Sequence, residues 1–107
     1  MKQVKFQVRT EETEQKITIV AEGELDLSTA PKLTEVIGQS VGRTDKLLEM
    51  DLGALQYIDS TGLGVMISML KERDRLNAGV AISNIPPKIK RLFDITGVSR
   101  FLGGSRQ

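Results

Sequence analysis

Leu47-Leu48-Glu49-Met50-Asp51-Leu52 is short, largely apolar and bounded by turn-forming residues, Gly42 to Asp45 before it and Gly53 after it. A run of this length with such flanks suits a strand covered on both faces better than a surface helix, and it is the expected centre of a sheet. Downstream, Gly53-Ala54-Leu55-Gln56-Tyr57-Ile58 leads into Asp59-Ser60-Thr61-Gly62-Leu63-Gly64, where the pattern turns helical. A helix is expected from about Thr61 to Leu76, with Leu63, Met66, Ile67 and Leu70 on one face and Lys71, Glu72, Asp74 and Arg75 outward. Asn77-Ala78-Gly79 ends it, with Gly79 available for a left-handed cap.

Further on, Val80-Ala81-Ile82-Ser83 reads as another buried strand, and Pro86-Pro87 opens a third helix that Thr96-Gly97 stops. Ile89, Leu92, Phe93 and Ile95 are expected to pack on the sheet, while Lys88, Lys90 and Arg91 form a solvated face. Phe101-Leu102 is a candidate short last strand ahead of a polar, glycine-rich tail.

Upstream, Val4 to Val8 alternates apolar and polar residues, Thr10 to Glu14 is a polar turn, and Ile17 to Ala21 is β-branched, which together predict an edge hairpin. Gly23-Glu24-Leu25-Asp26-Leu27 leaves the strand as an acidic loop. Ser28 and Thr29 offer hydroxyl caps before Pro31, and a helix follows to about Val41 with Leu33, Val36, Ile37 and Val41 inward. The order is β-β-α-β-α-β-α: an α/β fold in one domain spanning residues 1–107, with a four-stranded, mostly parallel, mixed sheet and room for a short fifth strand.

Composition excludes several function classes. The chain contains no histidine and no cysteine, which removes disulfides, thiol nucleophiles, imidazole bases and the usual zinc ligands together. No catalytic residue, metal site or cofactor is expected, and the chain is not read as an enzyme. Fifteen basic and fourteen acidic residues leave a net charge of +1 with the signs interspersed, so neither nucleic acid nor a membrane surface is an expected partner. The absence of a long apolar run and of a signal-peptide core at Met1-Lys2-Gln3 gives the expectation of a cytoplasmic protein.

Two segments then carry the candidate chemistry. Asp59, Ser60 and Thr61 are all favoured helix caps, and the same hydroxyls are also modifiable groups at a helix N-terminus, where unpaired N–H groups and the dipole tolerate a phosphate. A nucleophile elbow would need glycine where Ile58 stands, and a phosphate-binding loop would need a Gly-Lys-Ser/Thr ending that does not occur. Glu24, Asp26 and Ser28 lie in the acidic loop. If the strand carrying Ala21 neighbours the strand carrying Asp51, both loops emerge at one carboxyl edge, which brings Glu24 and Asp26 near Ser60.

Gly23-Glu24-Leu25-Asp26 with Thr29-Ala30-Pro31, then Asp59-Ser60-Thr61-Gly62-Leu63-Gly64, then Arg91-Leu92-Phe93-Asp94-Ile95-Thr96-Gly97 closely resemble bacterial anti-sigma-factor antagonists of the STAS-domain superfamily. The resemblance spans roughly residues 4 to 102. It implies a four-stranded mixed sheet backed by helices, and a partner switch. The unphosphorylated antagonist binds an anti-sigma factor with serine kinase activity and releases a sigma factor; phosphorylation of Ser60, with Thr61 the lesser candidate, inactivates it; a metal-dependent serine phosphatase restores it. Expected partner contacts are Glu24, Asp26, Ser28, Asp59, Ser60, Thr61, Gly62 and Leu63. The alternatives are a scaffold or stress-complex protein on the same fold, or, from a different class, a nucleotide-binding or hydrolytic module.

Overall fold

A computed structural model describes residues 5–98. Its elements follow the expected order: β1 (Gln7–Glu12), β2 (Lys16–Leu25), α1 (Ala30–Ser40), β3 (Leu47–Ile58), α2 (Ser60–Arg75), β4 (Val80–Ser83) and α3 (Pro87–Thr96). They form one α/β domain with a four-stranded mixed sheet in the order β1-β2-β3-β4. The β1–β2 pair is antiparallel, and β2–β3 and β3–β4 are parallel, as hairpin and crossover connections require. Among the described residues, no helix is long and apolar enough to cross a membrane.

Several boundaries differ from those the sequence predicts. Thr10, Glu11 and Glu12 belong to β1, opposite Ile19, Thr18 and Ile17, so the hairpin turns at Thr13 to Gln15. Thr13 Oγ1 accepts from the N–H groups of Gln15 and Lys16 there, which is how a threonine closes a short turn. β2 runs on through Gly23, Glu24 and Leu25, so the acidic loop shortens to Asp26–Thr29. The extension depends on Gly23, whose φ is +94°; a Cβ there would sit 2.3 Å from the carbonyl oxygen of Lys5. At the end of α2 it is Asn77, with φ +56°, and not Gly79, that takes the left-handed conformation. The expected strand at Phe101-Leu102 lies outside the described residues.

β3 is central but is not covered on both faces. Leu48, Met50 and Leu52 are buried in the core, while Glu49 and Asp51 between them are half-buried on the other side. The core joins these residues to Ile17, Ile19 and Leu25 of β2, Leu33 and Ile37 of α1, Met66 and Leu70 of α2, and Ile89 and Phe93 of α3. On the opposite face, long side chains bridge the strands: Arg9 pairs with Glu22 and Lys16 with Glu49, each at 2.8 Å. Thr18 and Val20 are nearly enclosed among them although they lie outside the core cluster. β4 is a half-buried edge strand, not a fully buried one. In α3, Leu92 and Ile95 point outward, 37% and 72% exposed, contrary to the expectation that they pack on the sheet; the ten-residue helix has only one inward stripe, and Ile89 and Phe93 fill it.

Candidate functional site

Parallel pairing carries β2 and β3 to the same edge of the sheet, where Leu25 lies opposite Ile58 and Glu24 opposite Tyr57. The Asp59 N–H donates to the Leu25 carbonyl at 3.1 Å, extending that pairing one residue past the strand. Asp59 is the N-cap of α2, with extended backbone. Its Oδ1 accepts from the Gly62 N–H at 3.0 Å, and its Oδ2 accepts from the Leu27 N–H at 3.1 Å. One carboxylate thus caps a helix and holds the neighbouring loop, joining two segments more than thirty residues apart in the chain.

That neighbouring loop is organised by Asp26. Its Oδ1 accepts from the Ser28 N–H at 3.0 Å, the Thr29 N–H at 3.2 Å and the Ser28 hydroxyl at 2.8 Å. The Ser28 hydroxyl, followed by the Thr29 and Ser28 N–H groups, holds the Asp26 carboxyl below its ordinary value of 3.8, so it is ionised at neutral pH. Thr29 precedes α1 without capping it; its Oγ1 donates instead to the Glu24 carbonyl at 3.0 Å and accepts from the Asp26 N–H at 2.9 Å. The hydroxyl expected to start a helix therefore ties the loop back to β2.

Asp59 being the cap, Ser60 is the first residue of α2 and is exposed, while Thr61 is half-buried. Gly62 and Leu63, the other two expected contact residues on this helix, turn inward. A Cβ on Gly62 would sit 2.6 Å from Leu25 Cγ, and Leu63 joins the core. These two seat the helix rather than offer side-chain surface. The structure brings Asp26, Ser28, Asp59 and Ser60 to one edge, with Glu24 exposed on the last residues of β2 instead of in the loop.

Two exposed apolar side chains at this edge were not anticipated. Leu27 is 72% exposed and Tyr57 is 50% exposed, on the segments immediately before α1 and before Asp59. Leu27 and Thr61 also open a shallow depression between α1 and α2, floored by Ala30 and Val65. A leucine between Asp26 and Ser28, in an otherwise polar loop, was the available signal. Among the described residues, no group of three acidic residues is placed to hold a metal ion. Chemically, the edge is an ionised carboxylate, an exposed hydroxyl and two apolar side chains on a hydrogen-bonded loop and helix start, an arrangement suited to recognition.

A model of the STAS domain matches residues 7–106. The anti-sigma-B factor antagonist of Listeria monocytogenes is 31% identical over 96 residues, covering 90% of this chain and 83% of that protein. Among solved structures, an anti-sigma factor antagonist from Mycobacterium paratuberculosis superimposes with a TM-score of 0.80 at 23% identity, covering 92% of this chain and 84% of that one. The Bacillus cell fate determinant SpoIIAA in its phosphorylated form superimposes with a TM-score of 0.71 at 19% identity, covering 92% and 88%.

Proposed function

Because the chain belongs to the STAS-domain family, we propose that it is an anti-sigma-factor antagonist, controlled by phosphorylation of Ser60. Unmodified, it binds an anti-sigma factor with serine kinase activity and so frees a sigma factor; phosphorylated, it lets go, and a metal-dependent serine phosphatase resets it. The name of the Listeria relative and the phosphorylated form of SpoIIAA support this reading. The observation that carries it is the placement of Ser60, exposed as the first residue of a helix whose cap is the preceding side chain.

The division of labour between Asp59 and Ser60 makes such a switch physically cheap. Asp59 already satisfies the Gly62 N–H, so α2 does not depend on the Ser60 hydroxyl for its cap. A phosphate there adds about −1.5 to −2 charges at neutral pH. At an effective dielectric of ~20, one like-charge pair ~6 Å apart costs roughly 3 kcal/mol, and half of that after screening is about tenfold in affinity. The dipole of α2 favours the phosphate by about 0.3 to 1 kcal/mol. Release of the partner thus follows from repulsion at the contact, with the fold retained.

The test is phosphorylation by the purified anti-sigma kinase of the same organism, followed by intact mass. Wild type should gain one phosphate and Ser60→Ala none, while Ser60→Ala keeps binding the kinase and Ser60→Asp binds at least about tenfold more weakly. A phosphate gained equally by Ser60→Ala defeats the assignment of the residue. Absence of binding by both wild type and Ser60→Ala defeats the antagonist reading.

A further inference from the structure

We propose that the outer face of α3 is a second docking surface, separate from the Ser60 edge, that takes an acidic amphipathic helical segment of a partner protein. Ile89 and Phe93 pack α3 on the core. Lys88, Arg91, Leu92 and Ile95 follow the spacing i, i+3, i+4, i+7 and form a second stripe on the exposed side. Only five large apolar side chains are exposed among the described residues, and Leu92 and Ile95 are two of them. Pro87, Lys88, Arg91 and Leu92 shape a shallow depression alongside.

The charges on this stripe are uncommitted among the described residues. Arg9, Arg43 and Arg75 pair with carboxylates, and Arg73 is enclosed by carbonyls. Arg91 and Lys88 have no ion-pair partner among the described residues, whereas Lys90 on the flank lies 3.6 Å from Asp94. An acidic helix laid in this position offers carboxylates to Lys88 and Arg91 and leucine-type side chains to Leu92 and Ile95, the usual economy of helix recognition. A second copy fits poorly, since a twofold contact would set the cations against themselves. Two apolar residues and two cations make a weak membrane anchor. The stripe has no aromatic side chain on which a base could stack.

The experiment is an amide NMR titration of the full chain with a synthetic amphipathic peptide bearing leucines at i, i+3, i+4, i+7 and glutamates on both flanks. A peptide with every glutamate replaced by lysine is the control. The acidic peptide should shift the amides of residues 88–96 and leave those of Ser60 and Asp59 in place. Arg91→Glu should weaken its binding about tenfold, Ile95→Ser should weaken it similarly, and the lysine peptide should be silent. The variants are at exposed positions, and unchanged thermal unfolding verifies them. Equal response to both peptides, or shifts confined to the Ser60 edge, overturns the proposal. So do α3 shifts produced only by phosphatidylglycerol vesicles, or only by raising the concentration of the chain itself. Phosphorylation and kinase binding at Ser60 should be unaffected by Arg91→Glu, so failure here leaves the Ser60 reading standing.

Discussion

The carboxylate of Asp59 accepts the backbone N–H of Leu27 at 3.1 Å while its other oxygen caps α2, so a single side chain couples the loop before α1 to the start of the helix that begins with Ser60. The coupling sets the relative position of Leu27 and Ser60, the apolar and hydroxyl parts of the same edge. Its chemistry follows from the parallel register, because Leu25 and Ile58 end their strands side by side.

Asp59→Ala should destabilise the domain by about 1 to 2 kcal/mol, the usual loss of an N-cap, with a further loss from the freed Leu27 N–H. Asp59→Asn keeps only one acceptor oxygen and should fall between wild type and alanine. Urea unfolding midpoints measure both, and amide exchange at Leu27 should accelerate in Asp59→Ala, which has no acceptor left for it. An unaltered rate at Leu27 would show that its hydrogen bond is not held by Asp59.

Gly62→Ala is expected to cost about 1 to 3 kcal/mol through overpacking. Its Cβ would approach Leu25 Cγ at 2.6 Å and Ile58 Cγ1 at 3.1 Å, with both neighbours buried and unable to swing away freely. By contrast, Gly64→Ala meets nothing within 4 Å and should be neutral or slightly stabilising, because alanine favours a helix interior. Thermal unfolding of the two variants side by side separates packing from propensity.

The element order and the shared carboxyl edge were legible in the sequence because both depend on periodicity and chain connection. The alternation of β-branched strands with capped helices leaves few right-handed topologies. What escaped were side-chain roles set by neighbours distant in the chain. Nothing local distinguishes Asp59 from Ser60 or Thr61 as the cap, since all three are good caps and only the adjacent loop favours the residue with two acceptors. Apolar character alone suggests an inward place for Leu92 and Ile95, yet helical phase turns Ile95 away from Ile89 and Phe93 and leaves Leu92 at the rim of their stripe, 37% exposed. Arg73 is the converse case, assigned to neither face by the sequence reading: it follows Met66, Met69 and Leu70 on the buried stripe, where phase turns it inward although its charge favours solvent.

Arg73 should be among the most sensitive positions in the chain. Fully buried, its guanidinium donates to the carbonyls of Val41, Arg43, Lys46 and Gly79 at 2.6 to 3.2 Å. It thereby fastens the loop after α1 and the turn after α2 at the edge opposite Ser60. Arg73→Met removes all of these donors, leaving the Gly79 carbonyl only the Leu48 N–H and the Arg43 carbonyl only the Lys46 N–H, and should cost about 3 kcal/mol or more. Arg73→Lys keeps the charge but lacks the planar fork, and should recover only part of the loss. Urea unfolding gives the magnitude, and faster amide exchange confined to residues 41–48 and 77–80 identifies the cause.

Acid should unfold the domain partly through Glu49. Lys16, 2.8 Å away, holds the Glu49 carboxyl below its ordinary value of 4.5, and Glu49 is only 18% exposed. A depressed carboxyl contributes stability above its unfolded value, and that contribution is lost as pH falls through the folded value. The stability of wild type should therefore decline from just above pH ~4.5 downward, as the unfolded chain takes up the proton first. Glu49→Gln should be less stable at neutral pH and show a shallower decline over the acid range. Asp26, also held below its ordinary value, contributes in the same direction, so the decline in Glu49→Gln should be reduced and not abolished. Chemical unfolding at a series of pH values reads the slope directly. Identical slopes for wild type and Glu49→Gln would mean that the Lys16 pairing persists in the unfolded chain or contributes nothing in the folded one.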